Sequence, residues 1–404
     1  MTTSVSVESS FELSRDHEDF RRVVRDFAAE HVAPHSAAWD AAARFPVELV
    51  PRMGELGLFG LIVPEEYGGS GGDFTSLCVA IEELGRVDQS VGITLSAGVG
   101  LGITPLLTYG TAEQKARWLP DLVAGRALAA FGLTEPEAGS DAGATRTRAV
   151  LDEASREWVI DGAKAFITNS GTSITSVITI TAVTGRRPDD SPELSTILVP
   201  AGSAGLVVDP PYRKLGWHAS DTHGLTFAGC RVPEANLLGQ RGAGLRQFLA
   251  TLDDGRIAIS ALALGLARAC LEACVEYAGS RVAFGRPIGA NQSIAFAIAD
   301  LAVAVDSARL LTYRAAALKD RLRAGDGSVD RAQVAAAAAR AKLHTSTTAM
   351  DAARLATQVH GGSGFIEEYP VARYYRDAKI LEIGEGTSEI QRLVIARGLG
   401  LPVD

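Results

Sequence analysis

A chain of 404 residues, 47% of them hydrophobic and 22% charged, has room for a sizeable core in two or three parts and lies far from the composition of disordered chains. Its 39 basic and 48 acidic residues leave a net charge of -9, a field that repels nucleic-acid backbones and anionic membrane surfaces. Neither is an expected partner, and an anionic ligand has to be met by local basic residues or helix N-termini.

The first twenty residues, MTTSVSVESSFELSRDHEDF, are polar and acidic and lack the pattern of a secretory or mitochondrial leader. No apolar stretch reads as long enough to span a membrane, so the expected location is the cytoplasm. From Glu18 to about Gly125 the pattern is helical, with Phe20, Val23, Val24 and Phe27 at the spacing of one buried face. Pro34, Pro46, Pro51, Pro64 and the run from Gly68 to Gly72 punctuate short helices.

The middle is rich in β-branched residues: Trp158 to Thr168, Ser176 to Val183, Ser195 to Val199, Gly205 to Val208 and Gly224 to Val232 read as strands. Asp161-Gly162 is a hairpin signal, because that dipeptide tolerates the positive φ of a tight turn. From about Gly242 onward the chain returns to long Ala/Leu-rich helices around Ile257 to Tyr277, Ile294 to Arg323 and Val329 to Val359, with a break at Gly325 to Ser328. The fold class is multidomain α+β: a helical part (1–128), a β part (129–238) and a helical bundle (239–404).

Several site types are unsupported. Cys78, Cys230, Cys270 and Cys274 form no Cys-x-x-Cys pair, and Cys270 and Cys274, one helical turn apart, read as small core residues. His31 and His35 have Pro34 between them and no acidic partner, so no metal site is expected. Gly98-Val-Gly100-Leu-Gly102 has the wrong spacing and context for a dinucleotide loop, and no Gly-x-Ser-x-Gly elbow exists.

Three segments dense in Gly, Thr, Ser and acidic residues remain: Phe131-Gly-Leu-Thr-Glu-Pro-Glu-Ala-Gly-Ser-Asp141, Gly162-Ala-Lys-Ala-Phe-Ile-Thr-Asn-Ser-Gly171 and Ile383-Gly-Glu-Gly-Thr-Ser-Glu-Ile-Gln-Arg392. In the third, Ser388 with Gln391 forms a capping-box pattern, which sets Glu385 just outside a helix N-terminus between two glycines. A carboxylate on such a turn suits proton abstraction once an apolar ligand raises its pKa.

These segments, with Arg281-Val-Ala-Phe-Gly-Arg-Pro-Ile, Gln358-Val-His-Gly-Gly and Arg376-Asp-Ala-Lys-Ile, resemble the acyl-CoA dehydrogenase family in order and spacing over nearly the whole chain, most closely its short-chain and short/branched-chain members. The resemblance implies an N-terminal helical domain, a middle β-barrel and a C-terminal four-helix bundle, with FAD shared across a dimer interface and a tetramer built as a dimer of dimers. By motif position Phe131, Leu133, Thr134 and Ser140 line the flavin and the start of the substrate channel, and Phe166 and Thr168 contact the isoalloxazine. Arg281, Phe284 and Gln292 reach the neighbouring subunit's FAD, Gln358, Gly361 and Gly362 lie at its diphosphate, and Thr387 and Glu389 complete the site. Ser140, Asp253, Arg256 and Gly386 contact the acyl-CoA.

Some relatives carry the base elsewhere, within Leu-Asp-x-Glu-Arg; here that stretch is Leu252-Asp253-Asp254-Gly255-Arg256, and Gly255 has nothing with which to take a proton. Asp254, one residue away, is turned by about 100°. The implied reaction is α,β-desaturation, with Glu385 as base, hydride transfer to the flavin and reoxidation by electron-transfer flavoprotein. Gly384 stands where many relatives have Tyr, which leaves room for a branched short acyl group, and Phe166 replaces a common Trp. An acyl-carrier-protein ester, oxygen as acceptor, or a non-catalytic flavin-binding scaffold remain open.

Overall fold

The computed structural model describes residues 13–403; the polar segment before Leu13 lies outside the described residues. Among the described residues, seven α-helices come first: α1 (Arg15–His31), α2 (Ser36–Ala41), α3 (Leu49–Glu55), α4 (Phe74–Val87), α5 (Gln89–Ser96), α6 (Thr104–Tyr109) and α7 (Ala112–Val123). The Ser14 hydroxyl accepts from the His17 N–H to start α1, and Asp73 and Asp88 do the same for α4 and α5. α1 buries Val24 and Ala28 while Val23 stays 48% exposed, against the sequence expectation. Adjacent residues differ by about 100°, so one stripe cannot hold both valines.

The sheet strands are β1 (Leu128–Gly132), β2 (Arg148–Asp152), β3 (Glu157–Thr168), β4 (Thr175–Arg186), β5 (Pro192–Pro200), β6 (Leu206–Val208), β7 (Thr222–Pro233) and β8 (Leu237–Leu238). They pair in the order β6-β7-β3-β2-β4-β5-β8, with β1 parallel to β4. β6 and β8 end the path without pairing to each other, so hydrogen bonds do not close the barrel. Alternation buries Trp158, Ile160, Ile178, Ile180, Ile197 and Phe227 in a core of their own.

The expected hairpin at Asp161-Gly162 is absent: β3 runs straight through it as a twelve-residue strand. The dipeptide forms a β-bulge against β7, where the register shifts between Ile160 and Gly162. Gly162 has φ +145°, and a Cβ there would lie 2.6 Å from the Thr147 hydroxyl, while the Asp161 carboxylate accepts from the Gly229 N–H at 2.7 Å. Positive φ serves a bulge as well as a turn.

Three long helices follow, α8 (Gly244–Ser280), α9 (Gln292–Arg323) and α10 (Arg331–His360), then the shorter α11 (Pro370–Leu381) and α12 (Ser388–Gly398); a small hairpin, β9 (Val282–Ala283) and β10 (Arg286–Pro287), links α8 to α9. Alanines such as Ala338, Ala341, Ala349, Ala352 and Ala356 let α10 lie close to α8 and α9. One hydrophobic core runs from α1 and α4 into these helices and includes Cys270 and Cys274, so the first and last thirds pack as one body. Buried ion pairs reinforce the joint: Arg268 reaches Glu82 at 2.6 Å and Glu83 at 2.7 Å, and Arg309 reaches Glu82 at 3.2 Å.

Two helical stretches, Gln89–Tyr109 and Gly244–Ser280, are long and apolar enough to cross a membrane, contrary to the sequence reading. In each, 78% of the apolar window is buried inside the protein, which is how the core helix of a large bundle reads.

Candidate active site

Glu385 sits in the turn between α11 and α12 with φ +57°, followed by Gly386 at φ +88°. The cap of α12 is Thr387, whose hydroxyl accepts from the Ile390 N–H; the expected Ser388 is instead the first helical residue. The Gln391 amide donates to both the Glu385 carbonyl (3.2 Å) and the Gly386 carbonyl (2.9 Å), so the first turn of α12 braces the strained loop before it.

The Glu385 carboxyl lies against α8 at Gly255. A Cβ there would be 2.5 Å from Glu385 Oε2 and 3.0 Å from its Cδ, so only glycine leaves space for this carboxyl. Oε2 is buried and has no hydrogen-bond partner. Burial pushes Glu385 up to about 7, against the pull of Arg256 and Lys342, whose charges favour the ionised form. Arg256 is itself buried and paired with Asp253 at 2.6 Å, and Asp254 faces away, paired with Lys319 at 2.5 Å. Gly255 thus lies against one unpartnered carboxyl oxygen with the Arg256 charge acting on it, while Asp253 reaches the site only through Arg256 and Gly386 as the next residue of the turn.

Phe131, at the end of β1, stacks on Phe248 with ring centroids 3.9 Å apart. Phe248 precedes Gly255 by seven residues, so both lie on one stripe of α8, roughly 10 Å apart. The loop after β1 is fastened from beneath. Lys164 is fully buried; its ammonium meets Glu135 at 2.8 Å and the Leu133 carbonyl at 3.2 Å, while the Thr134 carbonyl accepts from the Ala165 N–H. Burial, partly offset by Glu135, lowers Lys164 to about 8. Phe166 has φ +61° and 64% exposure, its ring 5.0 Å from that of Tyr212, and Thr168 pairs with Thr222. Ser140 is exposed on the same loop.

The other expected cofactor residues gather elsewhere. Arg281 caps α8 and is exposed, Phe284 is fully exposed on the β9–β10 turn, and Gln292 opens α9. Gln358, Gly361 and Gly362 are exposed at the end of α10, near the same end of α8, where Tyr277 stacks on His360 at 4.1 Å. Gly255 to Arg281 is 26 residues of one helix, or ~39 Å. Thr387 and Glu389 remain with Glu385. One chain therefore holds two clusters at opposite ends of α8.

Residues 14–126 match the model of the acyl-CoA dehydrogenase N-terminal domain, 130–230 that of the middle domain and 242–400 that of the C-terminal domain. The chain belongs to the acyl-CoA dehydrogenase family. The probable acyl-CoA dehydrogenase YngJ of Bacillus subtilis is 47% identical over 390 residues, spanning 96% of this chain and 99% of that protein. Butyryl-CoA dehydrogenase from Megasphaera elsdenii superposes with a TM-score of 0.90 at 38% identity, covering 96% of this chain and 99% of that one. A glutaryl-CoA dehydrogenase from Mycobacterium smegmatis, solved with FADH2, gives a TM-score of 0.87 at 31% identity over 96% of this chain and 95% of its own.

An acyl-CoA dehydrogenase is an FAD-dependent oxidoreductase. The residues present fit that group: the bare ring of Phe166 beside Thr168 matches a flat apolar ring system, and Glu385 Oε2 is buried without a partner. Two residues on the site went unassigned in the sequence. Lys164 and Lys342 look like surface lysines until the packing shows both with no exposed surface.

Proposed function

We propose that this acyl-CoA dehydrogenase desaturates a short or branched short-chain acyl-CoA to the trans-2-enoyl-CoA, with Glu385 as the base. The observation that carries this reading is the buried, unpartnered Oε2 of Glu385 over Gly255. A carboxyl raised to about 7 by burial is matched to abstracting an α proton near neutral pH. FAD, when bound, supplies the acceptor for the β hydride. The chain's own residues orient the ester: Arg256, held by Asp253, supplies fixed positive charge beside the base, and the Glu385 N–H is a donor for the thioester carbonyl.

A cleft of about 530 Å³ lined by Arg187, Arg241 and Arg246 supports coenzyme A as the carrier. Arg246, Leu249, Asp253 and Arg256 follow at helical spacing, so this face of α8 leads from the basic cleft to Glu385. Gly384 supports a branched acyl group, because a Cβ there would meet only the Ile380 carbonyl at 3.5 Å. The division of labour follows the helical (1–128), sheet (129–238) and bundle (239–404) parts, with electron-transfer flavoprotein as acceptor. The exposed Phe284, Phe296 and Phe365 support an oligomer in which a second copy covers them.

The test is anaerobic bleaching of the bound flavin by straight, 2-methyl and 3-methyl acyl-CoAs. Glu385→Gln is expected to slow bleaching by roughly 10²–10⁴-fold. A variant that bleaches as fast as the parent overturns the assignment. Strict preference for butyryl-CoA overturns the branched-substrate reading, and reoxidation by oxygen as fast as by electron-transfer flavoprotein overturns the acceptor.

A further inference from the structure

Lys342 lies on the inner face of α10, among alanines, with no exposed surface. Burying an ammonium is costly unless it is hydrogen-bonded and compensated, and packing alone would be met by Leu or Met. Its ammonium donates to the Gly386 carbonyl at 2.8 Å, and among the described residues it forms no ion pair with a carboxylate. That carbonyl belongs to the second of two consecutive left-handed residues, the first being Glu385. Gln391 donates to the same oxygen from α12, so two donors from two helices fix the Gly386–Thr387 peptide, one residue beyond Glu385.

The charges around this turn come from four elements. Arg256 and Asp253 belong to α8, Lys342 to α10, Glu382 to the end of α11 and Glu389 to the first turn of α12. Glu382 is bonded to Lys379 at 2.7 Å, and Glu389 lies 3.5 Å from Arg392. Arg256 is engaged by Asp253 at 2.6 Å. Lys342 is therefore a cation near Glu385 that, among the described residues, forms no direct ion pair with a carboxylate and so keeps its charge for Glu385.

We propose that Lys342 is a positioning residue for the desaturation: by holding the Gly386 carbonyl it aims the Glu385 carboxylate over Gly255, and its charge favours that carboxylate's ionised form. This rests on the reading of Glu385 as the base. Lys342 takes no proton from the substrate; the α proton goes to Glu385, and the ammonium steadies the turn before and after the transfer. Burial lowers Lys342 and raises Glu385, and each group's charge works against the other's burial by favouring its partner's ionised form.

Lys342→Met removes charge and donor, Lys342→Gln keeps a donor, and Lys342→Arg keeps the charge. The Glu385 carboxyl is titrated by infrared difference spectroscopy, each variant against the same variant carrying Glu385→Gln. The midpoint is expected to rise by about one pH unit in the Met and Gln variants and to stay put in Arg, since an opposite charge nearby shifts a carboxyl by this order. At a pH above all midpoints, the Gln variant is expected to bleach its flavin several-fold faster with acyl-CoA than the Met variant. A midpoint unchanged in Met and Gln overturns the proposal, and if Met does not fold, Gln and Arg decide it. The infrared signal reports the carboxyl whether or not turnover needs it, so failure here is separable from failure of Glu385 as the base.

Discussion

Gly255 and Glu385 form one device made from two residues. The carboxyl occupies the volume that any side chain at 255 would fill, with contacts of 2.5 to 3.2 Å awaiting an added Cβ. Gly255→Ala is accordingly expected to push the carboxyl off line and slow flavin bleaching by about 10²-fold, the penalty of an ångström-scale misplacement. Stopped-flow bleaching at saturating acyl-CoA measures it, and an unchanged rate would show that the carboxyl has somewhere else to go. The pH dependence follows from the same burial. Burial raises Glu385 to about 7 from the ordinary 4.5, so if it is the base, flavin bleaching is expected to require pH above about 7 and to fall off as pH drops. Between those values the folded chain binds the extra proton, so rising pH lowers stability. Glu385→Gln is therefore expected to unfold at higher denaturant concentration than the parent at pH 8, with the difference vanishing near pH 4.5.

At the scale of elements, the loop that follows β1 depends on β3. Lys164 and Glu135 are a buried pair, and Glu135 also accepts from the Arg146 and Thr147 N–H groups at 2.7 and 3.0 Å. Lys164→Met leaves that carboxylate unpaired and is expected to cost about 3–5 kcal/mol, with FAD lost from the purified protein; adding Glu135→Gln should recover part of the stability. Thermal unfolding and flavin content of the single and double variants check both. Local pattern told much of this architecture, strands from β-branched runs and long helices from Ala/Leu periodicity, whereas for Glu385 it offered only a carboxylate between two glycines, the expected role of base coming from the family resemblance. It could not tell that Asp161-Gly162 bends β3 and does not end it, because the choice depends on Thr147 and Gly229 across the sheet. Nor could it separate Thr387 from Ser388 as a cap, two hydroxyls one residue apart. Lys164 and Lys342 were illegible for the same reason: a lysine is marked as buried only by what packs around it.

Across the whole molecule, the expected cofactor residues fall into two clusters that no motion of one chain can unite. Glu385, Gly255, Phe131 and Phe166 belong to the end of the bundle that meets the sheet; Arg281, Phe284 and Gly361 belong to the other, ~39 Å along α8. Arg281 carries positive charge with no carboxylate partner among the described residues, and Phe284 is bare, which is wasteful in a lone chain and sensible where a second copy brings its own site to meet them. If each FAD lies between one chain's Glu385 cluster and another's Arg281 cluster, defects at the two clusters complement. A chain carrying Glu385→Gln and a chain carrying Arg281→Ala with Phe284→Asp should each be nearly inactive alone. Unfolded together and refolded as an equimolar mixture with FAD, half of the dimers pair unlike chains, and each of these contains one intact site. The mixture should regain roughly a quarter of the parental activity per chain, as random pairing in a two-fold dimer requires. Recovery measured against mixing ratio should peak at equal amounts; no recovery, with both variants folded and assembled, would place each FAD within a single chain.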